Sequence, residues 1–195
     1  MLDALYSDEA KFLLLEPHGE FRLDAPGPQL VFPGSFNPLH HGHLTLAEIA
    51  AGRFGMPVAF ELSIANVDKP DLSPEEVRRR LEQFRGRGSV FVTRAARIEE
   101  KAALFPGCVF VVGADTAARI VHLKYYKDDP TDLMRAIEVI RGYGCRFLVG
   151  GRTDESGYFV EANQVAIPEG YRDLFLGLTE HEFRVDVSST QLRAI

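Results

Sequence analysis

An α/β fold with a parallel sheet and helices on both faces is what this sequence predicts. Three observations carry the reading. Strand-like and helix-like runs alternate along most of the 195 residues, in the order expected of βαβ units. The run Cys108–Val112 has the continuous apolar character of a buried strand. The hydrophobic fraction of 46% and charged fraction of 26% are those of an ordinary globular chain with a real core.

The elements follow in order. Leu2–Leu15 reads as an amphipathic helix. Residues 16–28, with Pro17, Pro26, Pro28, Gly19 and Gly27, read as a connector, so 1–28 form an N-terminal helix and connector ahead of a domain over 29–195. Gln29–Phe32 is a short strand. His41–Phe54 is a helix with Leu44, Ala47, Ala51 and Phe54 near one face. Val58–Ile64 is a strand. Ser73–Phe84 is a helix opened by a Ser cap, Pro74 at the first position, and acids in the first turn. Ser89–Val92 is a strand and Ala95–Phe105 a helix. A further helix starts at about Ala114, Thr131–Arg141 is the last long one, and Arg146–Val149 is a strand. In such sheets ligands bind beyond the carboxyl ends of the strands, which directs attention to the residues after Phe32, Ile64, Val112 and Val149.

The formal net charge of -6 argues against a general nucleic-acid binder. The charge is uneven: Glu75 to Lys101 holds eight Lys/Arg against five Asp/Glu, which is either a solvated helix face or an anion-facing surface. Cys108 and Cys145 both begin apolar runs and belong to no CxxC pair, so buried reduced thiols are expected. The start of the chain has no basic leader, and no stretch is long enough to span a bilayer. The cytoplasm is the expected compartment, with no membrane partner.

The chemistry concentrates in PGSFNPLHHGH, residues 33–43. Gly34 and Ser35 end a strand in a tight turn that brings backbone N–H groups near a ligand. Asn37-Pro38 turns the chain again, and a helix begins whose free N–H groups favour an anion. His40 and His43, three apart, face the same side, and Gly42 keeps that side open. Imidazole donors and backbone amides aimed at phosphate oxygens suit nucleotidyl transfer, which needs positioning and charge stabilisation rather than covalent help. A metal site from His40, His41 and His43 is disfavoured, because no carboxylate or cysteine at ligand spacing completes it. His41 alone reads as a surface residue. Near the other end, Ser188 or Ser189 caps a turn through Thr190 to Arg193, which is either a plain helix cap or an anion cradle.

GSFNPLHHGH resembles the GxFxPxHxGH signature of the nucleotidylyltransferase superfamily, above all its nicotinamide/nicotinate mononucleotide adenylyltransferase branch. SSTQLR is similar to the (I/V)S(S/A)TxxR signature that closes the same active site. The resemblance spans about residues 29–195 and implies a Rossmann-like nucleotidylyltransferase fold. It implies that His40 and His43 contact the triphosphate and that Gly34, Ser35, Phe36 and Gly42 lie along the nucleotide. It puts Ser188, Ser189, Thr190 and Arg193 over the β- and γ-phosphates. Lys69, after the second main strand, is either a loop lysine or a phosphate contact, and the resemblance favours the contact. Arg78 matches a family arginine with a structural or phosphate-facing role. Gly113 and Asp115 resemble the GxD element, for which nucleotide contact competes with simple helix capping. Arg152, in FLVGGR, is a further nucleotide contact. The tryptophan that often stacks on the pyridine acceptor has no counterpart, and Lys124-Tyr125-Tyr126 stands where aromatic contacts would be sought.

The implied reaction joins a nucleotidyl group from ATP, with Mg²⁺ carried mainly by the nucleotide and water, to a small phosphorylated acceptor. Other acceptors, namely pantetheine phosphate or a sugar or polyol phosphate with cytidylyl transfer, share the donor logic. So does a non-catalytic nucleotide-binding domain. Homo-oligomerisation is left open. A class I aminoacyl-tRNA synthetase fragment is disfavoured by the acidic charge and the absence of a KMSKS-like run.

Overall fold

The computed structural model describes residues 1–67, 70–153, 159–160 and 164–184. Its main sheet is built from β1 (Phe12–Leu15), β2 (Phe21–Arg22), β3 (Leu30–Pro33), β4 (Ala59–Ser63), β5 (Val90–Thr93), β6 (Val109–Gly113), β7 (Arg146–Gly150) and β10 (Phe175–Gly177). A separate hairpin pairs β8 (Arg152–Thr153) with β9 (Phe159–Val160). The helices are α1 (Asp3–Tyr6), α2 (His41–Phe54), α3 (Pro74–Leu81), α4 (Ile98–Leu104), α5 (Ala114–Ile120) and α6 (Pro130–Gly142).

The strands lie in the order β10-β7-β6-β3-β4-β5-β1-β2. From β10 to β5 every pairing is parallel, for example Val31 opposite Phe110 of β6 and Phe32 opposite Phe60 of β4. From β3 the chain first builds outward through β4 and β5, then returns to lay β6 on the other side. The strand order therefore reverses between β3 and β6, and a ligand crevice is expected above their carboxyl ends.

Side chains alternate between two cores. Val31, Phe110, Val112, Phe147 and Val149 pack under α4, α5 and α6, with Ala102, Ala117 and Ile137. Phe32, Leu62, Val111 and Leu148 pack against α2 and α3, with Leu46, Ala50 and Val77. Both faces are covered, as the βα order implied. Cys108 and Cys145 are buried, unbonded thiols with Sγ atoms 3.9 Å apart. Among the described residues no helix is long and apolar enough to cross a membrane.

The expected helix over Leu2–Leu15 is a correction. Only Asp3–Tyr6 is helical, and Asp8 then takes φ 59, a left-handed turn that ends it. Phe12–Leu15 becomes β1, antiparallel to β5, and Phe21–Arg22 in the connector becomes β2, antiparallel to β1. Leu13 and Leu15 face one core and Leu14 the other, a strand's alternation hidden inside an all-apolar run. The sequence pattern does not predict β10. Its three residues, Phe175–Gly177, are too few for a pattern to register.

A buried ion pair ties the centre of the sheet to α4. Lys101 Nζ donates to Glu61 Oε1 (2.7 Å), Glu61 Oε2 (2.9 Å) and the Ala95 carbonyl (2.6 Å), so all its protons are used. The Thr93 hydroxyl donates to Glu61 Oε1 at 2.6 Å. Glu61 is 1% exposed. Truncating Lys101 to Ala strands that carboxylate and is expected to cost about 3–5 kcal/mol in urea unfolding. A joint Glu61→Leu, Lys101→Met replacement is expected to recover most of the loss. A loss under about 1 kcal/mol for Lys101→Ala would show that the carboxylate finds water or another partner.

Candidate functional site

The signature loop leaves β3 at the crevice and is gripped from outside by α3. Arg80 Nη1 donates to the Ser35 carbonyl at 2.9 Å. The Gln83 side chain accepts from the Leu39 N–H at 2.8 Å and donates to the Phe36 carbonyl at 2.9 Å. Arg79 donates to Asn37 Oδ1 at 2.7 Å. Glu76 pairs with both Arg79 and Arg80, and those hydrogen bonds pull its carboxyl down to about 2. Most of the basic residues between Arg78 and Lys101 are paired with acids in this way, so the arginine-rich stretch is largely neutralised where it stands.

The Phe36 ring does not line the crevice. At φ 44 the residue turns inward, 1% exposed, with its ring edge-on to Phe84 (5.1 Å), Phe60 (5.4 Å) and Phe32 (5.8 Å). Its aromatic mass does more for stability in the core than over solvent. Gly34 is fixed by the same ring, because a Cβ there would sit 2.7 Å from it. The requirement for glycine comes from packing below as much as from a ligand above.

The Phe36 ring also backs His43, at 5.1 Å and 77°. His40 is the N-cap of α2, and His43 lies in the helix's first turn. Their rings stack, with centroids 3.7 Å apart and 24° between planes. The His40 backbone N–H donates to His43 Nδ1 at 3.3 Å, which leaves the His43 ring proton on Nε2. Burial, then the neighbouring His40, push the His43 pKa down to about 3. Burial, then His41, lower that of His40. His40 Nδ1 is shielded from solvent and has no hydrogen-bond partner among the described residues. His41 is exposed, as expected of a surface residue.

The opposite wall rises from β6 and β7. Gly113 caps α5 in extended conformation, and a Cβ on it would meet nothing within 4 Å, so open crevice lies directly above. Asp115, in the first turn of α5, makes no capping bond and is ion-paired with Arg152. Gly151 is tightly constrained: a Cβ would lie 2.4 Å from the Phe159 ring. The resulting cleft, about 250 Å³, is lined by Gly34, Ser35, His40, Gly42 and His43 on one side. Gly113, Asp115, Arg119 and Arg152 face them, with Leu46 and Phe183 also on the lining. A second chamber of about 220 Å³ adjoins it, sharing Pro33, Thr116 and Arg119 and reaching Tyr125 and Tyr126.

Lys69 and the segment Ser188, Ser189, Thr190 and Arg193 lie outside the described residues. Arg78 faces elsewhere, lining a chamber of about 380 Å³ with Leu2, Leu13 and Phe21. Its neighbours Arg79 and Arg80 hold the loop instead. Arg80 was legible in principle: Val77, Arg80, Leu81 and Phe84 fall at helical spacing on one buried stripe, and an arginine there needs an acceptor. Gln83 and Arg119 carried no comparable signal. Among the described residues no three His, Cys, Asp or Glu side chains gather as a metal site.

A Rossmann-like sheet with a two-histidine loop and a glycine-led helix at its strand switch defines the class, a nucleotide-handling α/β protein. The cytidylyltransferase-like family model matches residues 31–195, and the chain belongs to that family of nucleotidyltransferases. No curated protein matches the chain at a significant level.

The depressed pKa of His43 has a stability consequence. In the unfolded chain the ring takes a proton near 6.5, while folded it stays neutral down to about pH 3. The unfolded state therefore binds more protons in that interval, and stability falls as pH drops from 6.5 towards 3. Urea unfolding of His43→Asn is expected to show a shallower slope across that window. An identical slope would mean that His43 ionises as freely folded as unfolded.

Proposed function

We propose that the protein transfers the adenylyl group of ATP to the phosphate of a nicotinate or nicotinamide mononucleotide and releases pyrophosphate. The observation that carries this reading is convergence: the signature histidines, the Gly113–Asp115 turn and Arg152 line one cleft at the strand switch. The family resemblance supplies the acceptor. ATP and a small phosphorylated acceptor are the partners, and neither nucleic acid nor membrane is required.

In this mechanism an acceptor phosphate oxygen attacks the α-phosphorus. The bond from α-phosphorus to the bridging oxygen breaks, and pyrophosphate leaves. Neutral His43 offers its Nε2–H to the triphosphate, and His40 flanks it. The open N–H groups at the start of α2 add positive potential. These donors are held before substrate arrives, so little reorganisation accompanies the growth of charge. Arg152 exchanges part of its pairing with Asp115 for phosphate, which frees the carboxylate to accept from ribose hydroxyls. Lys69 and the Ser188–Arg193 turn complete the phosphate contacts by resemblance. Asp115 is the one carboxylate on the described cleft lining, which fits a Mg²⁺ held mostly by triphosphate and water. Such an ion would supply charge neutralisation for the pyrophosphate, with Asp115 as the described residue able to hold it.

The family description favours a second reading: the same donor chemistry with CTP and a sugar or polyol phosphate. Pyrophosphate release from purified protein, offered ATP or CTP with a panel of phosphorylated acceptors, separates the two. Turnover with ATP and a pyridine mononucleotide is expected. Turnover with CTP alone, or with other acceptors alone, selects the second reading, and tight ATP binding without turnover selects a binding domain.

His43→Ala is expected to lower turnover by about a hundredfold or more, the loss typical of one preorganised donor. Unchanged turnover in a folded variant would remove His43 from the chemistry.

A further inference from the structure

The polar groups on the lining of the second chamber are mostly already engaged. Lys101 is committed to Glu61 and the Ala95 carbonyl. The Tyr126 hydroxyl donates to the Ile120 carbonyl at 2.7 Å, and burial pushes its pKa up to about 12. Arg97 pairs with Glu99 at 2.9 Å, reaches Asp132 at 3.7 Å and lies 5.0 Å over the Tyr126 ring.

Two groups stand apart. Arg119 is exposed and lines both chambers, and its guanidinium makes no hydrogen bond or ion pair among the described residues. Glu99 lines the second chamber only. Its Oε1 is taken by Arg97, while Oε2 is shielded from water and lacks a partner among the described residues. The walls between are apolar or aromatic, with Val67, Ile98, Ile120 and Tyr125.

We propose that the second chamber takes the head of the acceptor, that Arg119 holds the acceptor's phosphate where the chambers meet, and that Glu99 selects a hydrogen-bond-donating head over a carboxylate. This rests on the adenylyl-transfer reading above and narrows its acceptor. A guanidinium at the junction, unpaired among the described residues, matches a phosphate that must stand beside the donor's α-phosphate. Elsewhere on the lining, a carboxylate oxygen without a partner among the described residues is satisfied by an N–H and repels a second carboxylate. Burial, the largest influence on Glu99, raises its pKa, consistent with a group whose charge is poorly solvated. A flat head bearing a carboxamide fits; the same head bearing a carboxylate does not.

The test uses the full chain with saturating ATP and compares kcat/KM for the carboxamide and carboxylate forms of the pyridine mononucleotide. The carboxamide form is expected to lead by at least about tenfold. Glu99→Gln is expected to cut that ratio severalfold, through the acceptor KM, with unchanged ATP affinity by calorimetry. Arg119→Ala is expected to raise KM for both forms by about tenfold or more, again with ATP affinity unchanged.

A wild-type preference for the carboxylate form, or a ratio unmoved in Glu99→Gln, overturns the assignment of Glu99. Loss of ATP affinity in Arg119→Ala, matching the rise in acceptor KM, moves Arg119 to the donor and overturns its part. If neither pyridine mononucleotide is used but another phosphorylated acceptor is, the acceptor named in the functional reading has failed. The same ratio is then taken on amide-ended and carboxylate-ended forms of the acceptor that is used, where a carboxylate preference overturns the Glu99 role independently.

Discussion

The site depends on how one loop is held. Between β3 and α2 the chain must present two imidazoles in a fixed stack, and the loop has few backbone hydrogen bonds of its own to do this. Arg80, from α3, and Gln83, from the turn just after it, supply what is missing, reaching the carbonyls of Ser35 and Phe36 and the N–H of Leu39. Glu76 in turn orients Arg80 at 2.7 Å. Phe36 adds a hydrophobic pin from below. A loop tied to a rigid helix and to the core loses little entropy when a ligand arrives, which is what preorganised donors require.

The sheet contributes position rather than chemistry. Because β4 and β5 were laid to one side of β3 and β6 and β7 to the other, the loop after β3 faces the turn after β6 across a gap. Residues about 70 apart in sequence share a cleft through topology alone. The Glu61–Lys101 pair secures this arrangement close to the gap: Glu61 carries its charge on β4, and its carbonyl accepts from Gly34 N–H at 3.0 Å. One residue thus connects the buried ion pair to the start of the signature loop.

Much of this was legible in the sequence. The α2 boundaries, the Ser73 cap and the parallel core strands followed from period, cap chemistry and apolar runs. The face shared by His40 and His43 followed from their spacing. What escaped did so for physical reasons. A four-residue apolar run such as Phe12–Leu15 satisfies helix and strand templates alike, and only pairing with β5 decides between them. Among three consecutive arginines, the family pattern points to Arg78, while the apolar stripe of Val77, Leu81 and Phe84 singles out Arg80 as the buried one. Phe36 sits in a motif associated with nucleotide, yet its positive φ, invisible in sequence, sends the ring to the core. That the Arg119 side chain has no partner among the described residues is a property of its surroundings, and no pattern announces it.

The first two strands have an effect beyond the site. A parallel sheet ending at β5 would offer a row of unsatisfied amides and carbonyls to any other extended chain. Here β1 covers that border, and β2, only two residues long and followed by Pro26 and Pro28, closes it with almost nothing left to pair. The molecule thus carries its own guard against strand-by-strand growth into fibres. Any self-association along that side would have to rely on side chains rather than on a continued ladder.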